Sequence, residues 1–352
     1  MSLCDRISDI RNPPRKYVSV LPEVVIRQEC EDFEVEEIPA YLPDGTGDHL
    51  YLWVEKRDLP AAELLSRLAR SLKVSSREIG VAGQKDRRAV TRQFVSVPRS
   101  CEGRLADVED ERFRILSVSA HRNKLRTGHL NGNRFRIALR PTASGSFTEE
   151  HLAHVKQRLQ LLEVEGFPNY FGPQRFGHEG NTAIEGIEFV KGEITAKRWK
   201  YQQRRFMTRM VCSAAQSAVF NLVLGRRVTA GTCATPLSGD VVCRRDGVRP
   251  FLFDERGETA AGDVIPMGPM PGPKMMATTG AIHAAEADVL SQLGLSFADF
   301  ERHKKLTSGT RRRCVEYPAS TSVELSAEGT IRIGFDLPSG TFATVLLSEI
   351  TS

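Results

Sequence analysis

The sequence predicts an α+β fold in two parts, on three observations: segments with helical apolar spacing, segments with two-residue alternation, and length. Leu64, Leu65, Leu68 and Leu72 recur at the spacing of one helix face, whereas Phe135, Ile137 and Leu139 alternate with Arg134, Arg136 and Arg140. At 352 residues the chain passes the roughly 250–300 residues at which single cores stop growing, so two domains, or one domain with a large insertion, are expected. A composition of 40% hydrophobic and 26% charged residues lies in the ordinary globular range and excludes a disordered chain.

In chain order, 61–74 reads as an amphipathic helix. Residues 78–83 read as a short buried strand ending at Gly83, followed by the polar turn 84–88 and a second apolar run through Phe94, Val95 and Val97. The stretches 113–118 and 133–140 are strand-like, and the arginine alternation of the latter predicts a sheet with one apolar and one cationic face. Leu152, Val155, Leu159 and Leu162 predict a helix over 149–162. Beyond Gly166 the texture turns to glycine, asparagine and aromatic residues, a candidate domain boundary. A longer helix is expected over 200–224, where Phe206, Met210, Ala214, Ala218 and Leu222 recur near every fourth position. Residues 266–273, Pro-Met-Gly-Pro-Met-Pro-Gly-Pro, read as a loop or linker. Strand alternation returns at Ile331, Ile333, Phe335 and Leu337, with a turn at 338–340 and a helical tail over 341–350.

No apolar run approaches the roughly 18 residues that span a bilayer, and the first sixteen residues carry no signal-peptide core, so a soluble, cytoplasmic protein is expected. The seven cysteines are scattered and never spaced C-x-x-C, against a disulfide framework or zinc knuckle. His151 and His154 lie one helical turn apart, but no further ligand completes a metal set. The net charge of +5 is uninformative as a total, but its distribution is not. Residues 112–148 hold no acidic residue and include Arg122, Lys124 and Arg126; residues 194–239 are likewise acid-free and include Lys197, Arg198, Arg204 and Arg205 among Trp199, Tyr201 and Phe206. Two such stretches, one interleaved with aromatics, point to a basic face that grips nucleic acid.

The turn around Asp86 carries the chemistry. A carboxylate flanked by Lys85, Arg87 and Arg88 is expected to be ionised at neutral pH, since nearby cations favour the charged form. It is available as nucleophile or base, although a salt-bridged surface aspartate would give the same spacing. Ala82-Gly83-Gln84-Lys85-Asp86 with Ala89-Val90-Thr91 resembles the TruD family of tRNA pseudouridine synthases. So do Gly132-Asn133-Arg134-Phe135, Pro168-Asn169-Tyr170-Phe171-Gly172 and Gln174-Arg175-Phe176-Gly177. Glu31-Asp32-Phe33 with Val35-Glu36-Glu37, and Leu337-Pro338-Ser339-Gly340-Thr341-Phe342-Ala343-Thr344, extend the resemblance in family order over nearly the whole chain.

The resemblance implies isomerisation of uridine to pseudouridine in tRNA, at position 13 in the bacterial branch, with no cofactor, no metal and no obligate protein partner. It implies a pseudouridine synthase catalytic core, a mixed, largely antiparallel sheet with flanking helices, formed by 1–168 and 310–352. An α+β insertion domain at 169–309 interrupts that core. Residue by residue, it implies Asp86 as the catalytic carboxylate and Arg27, where the family usually has lysine, as its charged partner. Phe135 is implied as a ring against the uracil, Asn133 and Phe33 as pocket residues, and Phe342 as a residue near the site. Two other readings stay open at this point: an RNA-binding protein without catalysis, and a nuclease, which would normally need paired carboxylates holding Mg²⁺.

Overall fold

The computed structural model describes residues 3–142, 145–255, 257 and 260–351. The chain begins with α1 (Leu3–Arg11), β1 (Val24–Val25), β2 (Phe33–Pro39), β3 (His49–Arg57), α2 (Ala61–Ser71), β4 (Gly80–Val81), β5 (Val90–Pro98), β6 (Phe113–His121), β7 (Leu130–Pro141) and α3 (Glu149–Glu165). It continues through β8 (Phe167–Pro168), α4 (Asn181–Lys191), α5 (Arg204–Thr229), β9 (Val241–Arg244), β10 (Phe251–Leu252), β11 (Val264–Met270), α6 (Gly280–Gln292) and α7 (Phe297–Glu301). It closes with β12 (Thr310–Arg313), β13 (Val315–Glu316), β14 (Ala319–Leu325), β15 (Ile331–Pro338) and α8 (Ala343–Ser348). No described helix is long and apolar enough to cross a membrane.

The chain packs as two units, one of Ser19–Val164, Pro318–Gly340 and Ile350–Ser352, the other of Met1–Val18, Glu165–Tyr317 and Thr341–Glu349. These differ from the expected division at 168/169 and 309/310. The segments 1–18 and 341–349 pack with the middle of the chain, because α1 docks on α5 and α8 on β8.

The first unit is built on a nine-stranded sheet among the described residues, ordered β14-β15-β7-β2-β5-β3-β6, with β1 on β7 and β4 on β5. Of these strand pairs, only β2 and β5 run parallel. Pro60 occupies the N-cap position of α2, whose Leu64 and Leu68 pack with Leu72 on Leu50, Leu52, Val54, Val95 and Val97 of the sheet. Cross-strand pairing sets the faces further along. Val35, Phe135 and Phe335 oppose one another, as do Glu37, Asn133 and Leu337, so these six share one face.

The opposite face was expected to be cationic and is not. Arg134 donates to Asp336 at 2.9 Å and lies 3.7 Å from Glu36, Arg92 bonds Glu55 at 2.8 Å and Glu34 at 3.4 Å, and Arg140 clamps Asp32 at 2.8 Å. Neighbouring strands place a carboxylate beside these arginines, which one strand's alternation cannot reveal. The Arg134 side chain is exposed, where a pair contributes about 0–1 kcal/mol, whereas Asp32 is buried beneath Arg140 and Arg92 is half-buried among its glutamates.

The second unit centres on α5, which is buried continuously from Ala214 to Gly225. Phe206 is not part of the buried stripe the spacing suggested; it is 67% exposed, since the core begins further along the helix. Residues 266–273 are not a linker either. Residues 264–270 form β11, wholly buried within the order β10-β9-β11-β12. Its first half pairs with β9 and its second with β12, so each half has one side free of ladder bonds, where a proline lacking its N–H is tolerated. Gly268 is required by packing: a Cβ there would lie 2.8 Å from the Phe220 ring.

Candidate active site

Between β4 and β5 the chain makes the turn that carries Asp86. Its backbone is pinned where it would otherwise be loose. The Lys56 ammonium, fully buried at the end of β3, donates to the Asp86 carbonyl at 2.7 Å and to the Leu59 carbonyl at 2.8 Å. The N–H of Gly128 donates to the Ala82 carbonyl at 2.8 Å, tying the 122–128 loop to the same turn. The Asp86 carboxylate itself is 42% exposed and pairs with the Arg27 guanidinium. None of its sequence neighbours makes that bond: Arg87 reaches Asp58 at 3.3 Å, Arg88 the Gln28 carbonyl at 3.3 Å, and Lys85 points inward.

Arg27 sits over the Phe33 ring, its guanidinium carbon 3.8 Å from the centroid, a cation–π arrangement worth about 0.5–2 kcal/mol. Phe33 meets Phe135 edge-on at 6.1 Å, and Phe135 lies 5.4 Å from Phe335. The three rings form a nearly continuous aromatic floor, with Phe135 7% and Phe33 1% exposed. Arg27 adopts a left-handed backbone, φ +64°, unusual for a residue with a Cβ.

Below the turn, Lys85 Nζ lies 3.1 Å from Glu37 Oε2 and donates to Asn133 Oδ1 at 2.7 Å. Glu37 also accepts the Phe94 N–H at 3.3 Å. Burial pushes the Glu37 carboxyl up and the Lys85 amine down, and their mutual attraction opposes both shifts. Gly132 lets β7 run close to β15 beside Asn133; a Cβ there would stand 2.1 Å from the Leu337 carbonyl oxygen.

The structure therefore brings Asp86, Arg27, Phe33, Asn133 and Phe135 into one constellation. Phe342 belongs to the other unit, where it meets Phe171 at 6.0 Å. Of the basic residues, Arg122 is exposed and pairs with Asp44 at 3.1 Å, Lys124 donates to the Arg77 carbonyl, and Arg126 is exposed; all three lie on the loop tied to the Asp86 turn. In the second unit, Arg198 pairs with Glu185 at 3.3 Å and Arg204 bonds the Trp199 carbonyl at 3.2 Å. Lys197, Lys200, Arg205 and Arg209 are exposed, beside Tyr201 and Phe206 at 84% and 67% exposure. Trp199, by contrast, is buried against Phe189.

Sequence reasoning passed over Lys56, the Lys85–Glu37 pair and Phe335. For the pair a signal existed, since Lys85 and Glu37 both fall in the quoted motifs; for Lys56 none did. Among the described residues no group of three or more His, Cys, Asp or Glu side chains could hold a metal ion. Chemically the constellation offers one reachable carboxylate held by a guanidinium over aromatic rings, in a turn whose backbone is fixed.

Known proteins match this chain along its length. The family model described as tRNA pseudouridine synthase D (TruD) matches residues 17–207 and 202–350. The tRNA pseudouridine synthase D of Anaeromyxobacter dehalogenans strain 2CP-C is 38% identical over 330 residues, covering 93% of this chain and 92% of that protein. That of a strain of Thermus thermophilus is also 38% identical, covering 92% and 88%. The crystal structure of a putative tRNA pseudouridine synthase D from Methanosarcina mazei superposes with a TM-score of 0.73 over 98% of this chain and 97% of that one, at 24% identity, a likeness of fold. With the family model matching almost the whole length and these relatives sharing 38% of residues over more than nine-tenths of the chain, the chain belongs to the TruD family of tRNA pseudouridine synthases.

Proposed function

We propose that the chain isomerises uridine to pseudouridine in tRNA, at position 13, in the cytoplasm, with Asp86 as the catalytic carboxylate and without cofactor, metal or obligate protein partner. The observation that carries this reading is the Asp86 carboxylate, exposed and oriented by Arg27 on a turn that is otherwise tied down. The reaction breaks the bond between ribose C1′ and uracil N1, turns the base and joins C1′ to C5. The proton leaving C5 is balanced by one gained at N1. Nothing is oxidised and no group enters, so the balance calls for no redox cofactor. A carboxylate can act by attack on C1′, by addition at C6 or by removing the 2′ proton, and nucleophilic catalysis is one general class among these.

Phe135 is the ring proposed to stack on the uracil, with Asn133 and Phe33 shaping its surroundings and Phe342 proposed near the site. Because Phe135 is buried among rings, Phe135→Ala would lose about 3–5 kcal/mol of stability and confuse the result. Phe135→Leu is expected to lower turnover about tenfold, the size of one weakened stacking contact, with tRNA affinity nearly intact; a variant with full turnover would remove Phe135 from the pocket.

The target nucleotide must leave its stack, at about a few kcal/mol, and phosphate contacts by Arg122, Lys124, Arg126, Lys197, Arg198, Arg204 and Arg205 are proposed to offset it. Arg122, Lys124 and Arg198 would exchange internal partners for phosphate, whereas Lys197 and Arg205 are already exposed. Lys197→Ala with Arg205→Ala is expected to weaken tRNA binding and reduce the slope of log affinity against log salt by about 2, measured by filter binding between low and moderate salt; an unchanged slope removes both from the interface. The function itself is tested by incubating the protein with unmodified tRNA and mapping carbodiimide-resistant adducts by primer extension. A stop one nucleotide 3′ of position 13 is expected. RNA without pseudouridine overturns the proposal, and cleaved RNA points to a nuclease.

A further inference from the structure

Lys56 lies 30 residues before Asp86 and yet touches its backbone. It is the last but one residue of β3, on the face shared with Thr91, its cross-strand partner in β5, and it is 0% exposed. Lysine is almost never buried unless its charge is met, and no carboxylate hydrogen-bonds this one among the described residues. Two backbone carbonyls meet it instead: Leu59, in the corner between β3 and α2, and Asp86. The first belongs to the hydrophobic core, where Leu59 is fully buried with Leu64 and Leu68; the second belongs to the turn. We propose that Lys56 is a positioning residue for the reaction, an ammonium post that fixes the backbone of Asp86 to the core beneath α2 so that the carboxylate is held at the working height.

The arrangement divides the labour on Asp86. Arg27 acts on the carboxylate and sets its direction. Lys56 acts on the carbonyl of the same residue and sets where the Cα stands, without competing for the carboxylate oxygens or being consumed in the reaction. Hydrogen bonds from an ionised donor are roughly twice as strong as neutral ones, which suits a joint that must resist the pull of a substrate nucleotide being turned. The charges that face Lys56 are few. Asp86 and Asp58 favour its ammonium form, Lys85 disfavours it, and burial outweighs them all, pushing the amine down to about 8.

That titration supplies a readout which a merely structural lysine would not move. As pH rises through about 8 the folded enzyme loses the ammonium; the neutral amine keeps two hydrogens but forfeits their charge-assisted strength, and turnover should fall. Stability should move the other way. An amine with a folded value below its ordinary 10.5 leaves the unfolded chain holding more protons between those pH values, so this group makes the fold more stable as pH rises.

The inference rests on Asp86 being the reactive carboxylate, and the experiment separates the two. Single-turnover pseudouridine formation is measured from about pH 6.5 to 9.5, bracketing the titration of Lys56, for wild type and Lys56→Met, with tRNA dissociation constants and thermal midpoints taken in parallel. The expected result is a rate for Lys56→Met lower by about 10–100-fold, the range that loss of a charge-assisted bond carries, with tRNA affinity within about twofold by the same reasoning. The wild-type rate should fall about tenfold across pH 8 without a drop in thermal midpoint, and the variant should lack that limb. A Lys56→Met enzyme with wild-type rate, or one that keeps the alkaline limb, overturns the role of Lys56 while leaving Asp86 standing. If Lys56→Met fails to fold, the wild-type profile decides, and a rate that is flat from about pH 7 to 9 overturns the proposal. Wild-type protein that makes no pseudouridine overturns the function and this inference with it.

Discussion

Asp86→Asn is expected to lower pseudouridine formation by about 10⁴-fold or more, the scale of losing a reacting group outright, while leaving the protein folded. The two halves of this expectation have separate grounds. The exchange removes the negative charge and the basic lone pairs on which each of the three chemical routes depends. It keeps the size and shape of the side chain, and the bond to the Asp86 backbone carbonyl survives because Lys56 contacts main chain. The pair disturbed is with Arg27, on a carboxylate that is 42% exposed, where an ion pair is worth about 0–1 kcal/mol. Primer extension after carbodiimide treatment measures the first half and thermal unfolding the second. A variant that still forms pseudouridine would dismiss Asp86 as the catalytic group; one that fails to fold would leave its inactivity without meaning, and Asp86→Ala would then be compared.

The second large effect is expected at the Lys85–Glu37 pair, whose side chains are 4% and 0% exposed. Glu37→Leu alone strands a buried ammonium and should destabilise the protein by about 3–5 kcal/mol. Joining it to Lys85→Met removes both charges, and buried pairs replaced by apolar residues of similar volume are often neutral or more stable by about 1–4 kcal/mol. The double variant should therefore recover most of the lost stability in urea denaturation. It should not recover activity, because Asn133 loses its donor and the residue next to Asp86 loses its anchor. A rate lower by about 10–100-fold is expected, the cost of one hydrogen bond to a charged group. If the double variant is as unstable as the single, the pair is a source of stability and the reading is wrong. If it is both stable and fully active, the network has no part in placing Asp86.

What could be read in advance follows physical locality. α2, α3, β7 and β15 were visible because each buries one stripe or face, leaving a periodicity in the sequence. β3 was not, because its apolar residues occupy both faces, with Leu50, Leu52 and Val54 under α2 and Tyr51 and Trp53 on the other side with Phe94. β11 was misread because proline count is a local property, whereas tolerance of proline depends on which side of the strand is paired. The cationic face failed for the same reason, its carboxylates coming from strands distant in sequence. At the site, Asp86, Arg27, Phe33, Asn133 and Phe135 were named from motifs. Lys56 carried no mark, since a lysine closing a strand ordinarily reaches water, and only the turn thirty residues later buries it.

The backbone of Arg27 bears on how this enzyme could be changed. A left-handed φ is penalised in residues with a Cβ by roughly 1–2 kcal/mol and is free to glycine. Glycine at position 27 would relax that main chain, but its greater freedom in the unfolded chain, about 0.5–1 kcal/mol, and the lost cation–π contact, about 0.5–2 kcal/mol, offset the gain. The same exchange would delete the guanidinium that spans Phe33 and Asp86. Position 27 is therefore a place where melting temperature says little about turnover, and a library screened for stability needs it held constant.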